Sequence, residues 1–408
     1  MIKRKLVKNI LASCEDSPVL MFHGARQVGK STLLKEFAKS IHPAEYISLV
    51  DAVYLSAAKS DPHGFIKGFE GNVVLDEIQL APELLRAIKL EVDNDRKPGK
   101  YLLTGSANVL TVPGISESLA GRMELLNLYP FSLSEIENRD ANTIKNLFER
   151  NITLGKKVDR REEINNRILR GGYPEAVSRK TDERRGTWFE SYSETIIKRD
   201  IREISNIEGM NIIPKLLNIL AARVGALVNF AELARSSAIP QTSLKRYLTL
   251  LESIFLIRFL PAYSKNKSKR LIKTPKIYFN DTGFVSHLLS LTSKRFESEK
   301  VATGFLLENY VLMELIKEAS WSENRCRFYH YSTASAQEVD FIIENNLGEA
   351  IAIEVKSTHS PKAEMFNHMR ALAEEIGNDL KYGYLLYLGD RVVPFGEKLF
   401  AVPIDFVL

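Results

Sequence analysis

The chain reads as an α/β protein built from a parallel-sheet core, a helical middle ending in a helix-turn-helix with a wing, and a C-terminal α/β domain. Three observations lead there. Residues Gly24 to Ser31 read Gly-Ala-Arg-Gln-Val-Gly-Lys-Ser, a complete G-x-x-x-x-G-K-S phosphate loop. Apolar segments at 18–23, 45–50, 72–77 and 100–104 alternate with helix-forming stretches, the pattern of a parallel sheet covered on both faces. Near the C-terminus two strand-like runs, Glu338 to Ile343 and Ala350 to Lys356, carry acidic residues. The boundaries these patterns suggest are 1–138 for the core, 139–225 for a helical region, 226–290 for the winged-helix segment and 291–408 for the last domain.

The core is the most specific part. Val19-Leu20-Met21-Phe22 precedes the loop and Thr32 to Phe37 follows it, giving strand, loop and helix in the order the motif needs. Gly24 and Gly29 let the backbone turn tightly with its N–H groups pointing inward. Those of Gly24, Ala25, Arg26, Gln27, Val28, Gly29, Lys30, Ser31 and Thr32, with the positive end of the helix, would hold phosphate oxygens. Lys30 adds a point charge, and the Ser31 hydroxyl is a ligand for Mg²⁺. The strand Val73-Val74-Leu75 then ends in Asp76 and Glu77. Asp76 would hold the Mg²⁺ water shell beside Ser31, and Glu77 would orient and deprotonate an attacking water. Parallel sheets carry their chemistry at strand carboxyl ends. Ser106, and after it Asn108, therefore stand where a γ-phosphate or that water would be reached. Arg122, in Leu119-Ala120-Gly121-Arg122, has two readings. It stabilises charge on a transferred phosphate, from its own or a neighbouring subunit, or it pairs with a surface carboxylate. The ligands implied are ATP and Mg²⁺.

Gly24–Thr32, Val73–Gln79, Leu103–Asn108 and Leu119–Glu135 together resemble the AAA-type ATPases of prokaryotes that carry a C-terminal DUF4143 region. The likeness continues in Gly171-Gly172-Tyr173-Pro174-Glu175, in Arg199-Asp200-Ile201, and in Lys276-Ile277-Tyr278-Phe279-Asn280-Asp281-Thr282-Gly283. It spans nearly the whole chain. The resemblance implies an ATP-binding AAA+ core, a helical or winged-helix middle and a nuclease-like C-terminal fold, with no substrate attached. No second sensor arginine can be placed, which leaves ring assembly open.

In the middle, Lys156 to Arg170 and Trp188 to Tyr192 read as helical, and Gly171-Gly172-Tyr173-Pro174 as a turn. Phe230 to Arg235 and Gln241 to Leu251 read as two short helices across a turn at Ser236 to Pro240. Leu244, Tyr247, Leu248 and Leu251 form the apolar face of the second. Phe255-Leu256-Ile257 and Lys276 to Phe279 would be wing strands joined by the basic loop Lys265 to Lys273. In a helix-turn-helix, Gln241, Thr242, Lys245 and Arg246 would face a DNA groove, while Lys267, Lys269 and Arg270 would contact phosphates. The same element is also used for packing or protein contact alone. Between Arg258 and Lys300 there are ten Lys or Arg against three Asp or Glu, the charge pattern of a nucleic-acid face or of a solvated one.

In the last domain, Glu354 and Lys356 are two residues apart and share one face of a strand. Asp340 lies on the neighbouring strand, and Glu308 on the preceding helix Phe305 to Val311. Glu308, Asp340, Glu354 and Lys356 resemble the PD-(D/E)xK nuclease set. The resemblance implies that Asp340 and Glu354 hold a second Mg²⁺ or a Mn²⁺, that Glu308 completes the site, and that Lys356 orients the attacking water. The same fold also serves as an inactive binding platform.

Composition narrows the class. The 408 residues are 45% hydrophobic and 26% charged, with a net charge of +5, a globular profile too mildly basic to prove nucleic-acid binding. No apolar run is long enough to span a membrane, and the basic start lacks the apolar stretch of a signal peptide. Cys14 and Cys326 fit no metal spacing, and so few thiols suit a reducing compartment such as the cytoplasm. Two functions remain: an ATP-hydrolysing enzyme acting on or near DNA with a metal-dependent nuclease-like domain, or a nucleotide-dependent switch, homo-oligomeric or bound to a partner protein, whose last domain only docks.

Overall fold

A computed structural model of the chain describes residues 2–105, 119–152, 161–196, 212–270, 273–298, 300–333 and 337–408. These divide into two compact units, 1–131 with 253–255 and 132–252 with 256–408. Ser106, Asn108 and Arg199 to Ile201 lie outside the described residues.

The first unit is a five-stranded parallel sheet in the order β2-β3-β4-β1-β5. The strands are β1 (Val19–His23), β2 (Glu45–Ser48), β3 (Val73–Asp76), β4 (Tyr101–Thr104) and β5 (Met123–Asn127). The first four fall where the apolar segments place them. Every residue of β1, β3 and β4 is buried, as parallel strands covered on both faces must be. The fifth had no such signal, because Glu124 and Asn127 interrupt the apolar run and the strand is half-exposed. It pairs with β1 through Val19↔Met123 to His23↔Asn127. Because β4 lies between β1 and β3, the phosphate loop and Asp76 leave the same edge of the sheet two strands apart.

The second unit holds the helical middle and a six-stranded mixed sheet ordered β12-β13-β11-β10-β9-β8. Its strands are β8 (Cys326–Ser332), β9 (Glu338–Asn345), β10 (Ala350–Lys356), β11 (Leu380–Tyr387), β12 (Val393–Pro394) and β13 (Leu399–Pro403). β9 and β10 are antiparallel, as the Asn345–Gly348 turn predicts, whereas β10 and β11 run parallel. Residues from Ser132 onward already belong here. The backbone N–H of Leu133 donates to Glu314 at 2.7 Å, Thr143 Oγ1 to the Val407 carbonyl at 2.6 Å and Tyr384 OH to the Leu147 carbonyl at 2.6 Å.

The helices Phe230–Ser237 and Gln241–Ser253 meet across Ala238, which is left-handed at φ 59°. Leu244, Tyr247, Leu248 and Leu251 are buried as the periodicity predicts. A two-stranded antiparallel pair follows, β6 (Ile257–Leu260) with β7 (Lys276–Phe279). Its first strand starts later than the sequence suggests because Phe255 takes a left-handed turn at φ 60°. Asn309, on the helix Lys300–Ala319, then clasps β7. Its amide donates to the Phe279 carbonyl at 2.9 Å and accepts from the Phe279 N–H at 2.8 Å.

Two of the family-like motifs meet in this unit as a packing joint. Asp281 caps the helix Thr282–Leu288 by accepting from the Phe284 N–H at 3.0 Å, and its other oxygen accepts from the Gly172 N–H at 2.7 Å. Gly171 has φ 69°, and a Cβ there would fall 2.3 Å from Asp281 Oδ1. Gly171 is thus demanded by the approach of the carboxylate. Replacing Asp281 with Ala removes a cap worth ~1 kcal/mol and orphans a buried N–H at ~1–3 kcal/mol. Asp281→Ala should therefore lower stability by roughly 2–4 kcal/mol in denaturant unfolding, with Asp281→Asn retaining much of it.

Candidate functional site

The phosphate loop leaves β1 with Gly24 at φ 152°, Gln27 at φ 61° and Gly29 at φ 95°. A Cβ at Gly24 would meet the Leu128 carbonyl oxygen at 2.1 Å, so glycine is required there on contact grounds. Lys30 opens the helix Lys30–Ser40, and its ammonium donates to the carbonyls of Gly24 at 2.8 Å and Ala25 at 2.9 Å. It arches over the loop whose phosphates it would meet. The loop is also braced from outside. The Arg4 guanidinium donates to the carbonyls of Val28 and, at 3.1 Å, Tyr129, and stacks 4.0 Å above the Phe131 ring.

Asp76 is 5% exposed and gathers three hydroxyls. Ser31 donates to Oδ1 at 2.9 Å, Tyr46 donates to Oδ2 at 2.6 Å, and Thr104 also donates to Oδ1. Burial, and then the bond to Asp76, push the Tyr46 phenol well above its ordinary value, so it stays a donor. Ser31 and Asp76 are therefore in direct contact, as a shared cation requires. Their oxygen donors fit Mg²⁺. Glu77 follows at φ 62°, a conformation that costs a non-glycine residue energy and turns its side chain away from the strand direction. Its N–H donates to Thr104 Oγ1 at 3.1 Å, and its carboxylate accepts from the Gln79 amide. Tyr46, Thr104 and Gln79 are polar neighbours that sequence reasoning missed. Gln79 and Thr104 lay within recognised motifs, with no role assigned to either. Burial, and then the Lys30 charge, push His23 down to about 4, so the imidazole at the end of β1 is neutral at pH 7.

Arg122 is engaged at the surface of the first unit. Its guanidinium pairs with Asp93 and donates to the Ala120 carbonyl at 3.2 Å. Arg270, expected to contact phosphates, is committed elsewhere. It is buried, forms a two-pronged pair with Glu344 at 2.7 and 3.0 Å, donates to the Ser264 carbonyl, and lies between the rings of Tyr263 and Tyr329. Gln241, Thr242, Lys245 and Arg246 are exposed on one helix. The side chains of Lys267 and Lys269 lie outside the described residues.

In the second unit Glu308, Asp340 and Glu354 are brought together, since the Asp340 charge acts on both glutamates. Beside Glu308 and Asp340 sits Lys276, from β7. Its Nζ lies 3.1 Å from Glu308 Oε1, 2.5 Å from Glu338 Oε1 and 3.7 Å from Asp340 Oδ1. Tyr278, also on β7, donates to the same Glu308 oxygen at 2.5 Å. Asp340 Oδ2 accepts from the Val355 N–H at 2.8 Å. Lys356 pairs with Glu354 Oε1 at 2.6 Å, while Glu354 Oε2 is buried with no hydrogen-bond partner among the described residues. Among those residues no group of three or more His, Cys, Asp or Glu is arranged to hold a metal ion. The expected second Mg²⁺ or Mn²⁺ site at Asp340 and Glu354 finds no support in this arrangement, in which Lys276 lies 3.7 Å from Asp340 Oδ1 and Lys356 pairs with Glu354. Lys276 belongs to a motif the sequence offered only as a likeness, with no chemical role attached.

Burial, and then repulsion from Asp340, push Glu308 up to about 7 and Glu354 up to about 8, against the pull of the Lys276 and Lys356 charges. An acid raised in the folded state contributes stability below the ordinary carboxylate range and loses it as the pH climbs through the folded value. The denaturation midpoint should accordingly fall as pH rises from 4.5 to about 8 and level off above. Glu354→Gln should flatten the upper part of that decline.

Residues 16–137 match the model of an AAA domain, 303–407 that of the domain of unknown function DUF4143, and 161–295 that of a further domain of unknown function, DUF8612. The uncharacterized protein Rv2008c of Mycobacterium tuberculosis is 28% identical over 408 residues, all of this chain and 84% of that protein. The uncharacterized protein MJ1544 of Methanocaldococcus jannaschii is 24% identical over 348 residues, 82% of this chain and 74% of that one. A solved RuvB variant of Thermotoga maritima overlaps 66% of this chain and 95% of its own at 19% identity and a TM-score of 0.30, too low to carry any argument. No helix among the described residues is long and apolar enough to cross a membrane. With a phosphate loop on a parallel sheet and both domain matches in place, residues 16–137 are an AAA domain and residues 303–407 a DUF4143 region.

Proposed function

We propose that the protein binds and hydrolyses ATP in its first unit and uses that cycle on or near DNA. The observation that carries the nucleotide half is the contact of Ser31 with Asp76 at 2.9 Å, directly beneath a loop bridged by Lys30. Mg²⁺, arriving with the nucleotide, would supply positive charge to the phosphate oxygens. Ser31 and Asp76 would hold it, with Tyr46 and Thr104 keeping the Asp76 carboxylate in place. Lys30 would exchange two carbonyl acceptors for phosphate oxygens. The Glu77 carboxylate would take a proton from the attacking water, and its bond to Gln79 fixes where that carboxylate points. General-base assistance of this kind is worth about 10²–10⁴-fold. DNA contact would fall to the exposed Gln241, Thr242, Lys245 and Arg246.

A second reading keeps the nucleotide cycle and makes the last domain a docking module for a partner protein. The place of Lys276 among Glu308, Glu338 and Asp340 favours it, because a carboxylate set already holding a cation is a poor start for metal-dependent cleavage.

Glu77→Gln should slow ATP turnover by about 10²–10⁴-fold while leaving ATP binding intact, as measured by phosphate release and nucleotide titration. Equal rates would remove Glu77 from the mechanism. Gly24→Ala should lose nucleotide binding because of its clash with Leu128. For the DNA half, affinity should fall steeply with salt, and Lys245→Glu/Arg246→Glu should weaken binding and reduce that slope. A protein with no measurable DNA affinity at low salt, and no cleavage of any DNA with Mg²⁺ present, would leave the docking reading.

A further inference from the structure

Four carboxylates, those of Glu308, Glu338, Asp340 and Glu354, crowd one end of the six-stranded sheet. Among the described residues, the cations paired with them are Lys356, which pairs with Glu354, and Lys276, which reaches the other three. The Lys276 side chain is 2% exposed. An amine is very rarely buried so deeply unless it is paired, and an ammonium has three N–H donors to offer. Here three carboxylates face it. Its neighbours hold it in register. Tyr278 donates to the same Glu308 oxygen, Asn309 clasps the end of β7, and the Gly225 N–H donates to the Ile277 carbonyl at 2.8 Å. The amine is thus delivered by a strand fixed on both sides. A divalent ion ligated by Glu308 and Asp340 would have to share this space with it. The two positive charges would lie within a few ångströms of each other, and oxygen ligands spaced for N–H donors are too far apart for Mg²⁺ or Mn²⁺.

We infer that Lys276 is a built-in cation occupying the position a divalent metal would take, so that the carboxylate cluster binds no metal in the intact chain and acquires a metal site when the ammonium is removed. The inference deepens the docking reading of the last domain but rests on the geometry of the cluster alone. It is independent of ATP turnover.

The test is a Mn²⁺ titration followed by electron paramagnetic resonance, on the full chain without nucleotide and in a Ser31→Ala background that weakens cation binding at the phosphate loop. With Lys276 present, no Mn²⁺ should be held that Asp340→Asn abolishes. Lys276→Gln should gain about one Mn²⁺ per chain, with a rise in melting temperature on adding the ion. The added Asp340→Asn substitution should remove both. Bound Mn²⁺ in the Lys276 chain that is lost on Asp340→Asn would overturn the inference. So would folded Lys276→Gln and Lys276→Met chains that both bind none. If the variants fold only with Mn²⁺, and Asp340→Asn blocks that rescue, the inference stands. If they never fold, the Mn²⁺ count of the Lys276 chain decides, with none supporting and one overturning. Failure to find a partner protein would leave these counts unchanged, so the two ideas fail separately.

Discussion

A carboxylate buried at the end of a strand must be neutralised by whatever lies within reach, because an isolated charge in a protein interior costs several kcal/mol. Both units are organised around that constraint, and they meet it differently. In the first, Asp76 is met by hydroxyls from Ser31, Tyr46 and Thr104. Hydroxyls donate or accept according to need, so the same set can turn toward an incoming cation without leaving a charge unpaired. In the second unit, Glu308 and Asp340 are met by the ammonium of Lys276 and by a backbone N–H. Neither can change sign. One carboxylate is held in readiness for a ligand, whereas the others are already occupied.

The division follows from where the partners come from. Ser31, Asp76 and Thr104 sit at the carboxyl ends of, or just beyond, adjacent strands of one parallel sheet, so each projects into the same crevice. Lys276 reaches its cluster from β7, outside the six-stranded sheet. That strand is bound to the Lys300–Ala319 helix through Asn309 and Tyr278. The hairpin read as a wing is therefore also part of the support of the last domain. The Gly171-Gly172 turn, clamped on Asp281, anchors the segment that follows β7.

Sequence made the nucleotide site legible because its parts are local. A glycine loop, a lysine and a serine fall within eight residues, and the acidic pair ends a buried apolar strand. Tyr46 escaped because nothing in Glu45–Ser48 marks one residue as a ligand of another strand. β5 escaped because its half-exposed position leaves no continuous apolar run. Longer-range chemistry was harder still. Arg270 sits in a basic stretch that suggested phosphate contact, yet its partner Glu344 is 74 residues away. Lys276 is 32 residues from Glu308 and lies on a strand with no acidic pattern of its own. Carboxylates converging on a sheet were foreseeable from strand periodicity, whereas the amine between them depended on how a separate hairpin docks.

The brace on the phosphate loop reaches further along the chain than the loop itself. Arg4 grips the Val28 carbonyl from 24 residues upstream and lies flat on Phe131. Residues ahead of β1 thereby become part of the nucleotide pocket's wall. An affinity tag or a crosslink placed near Arg4 would be felt as altered nucleotide affinity.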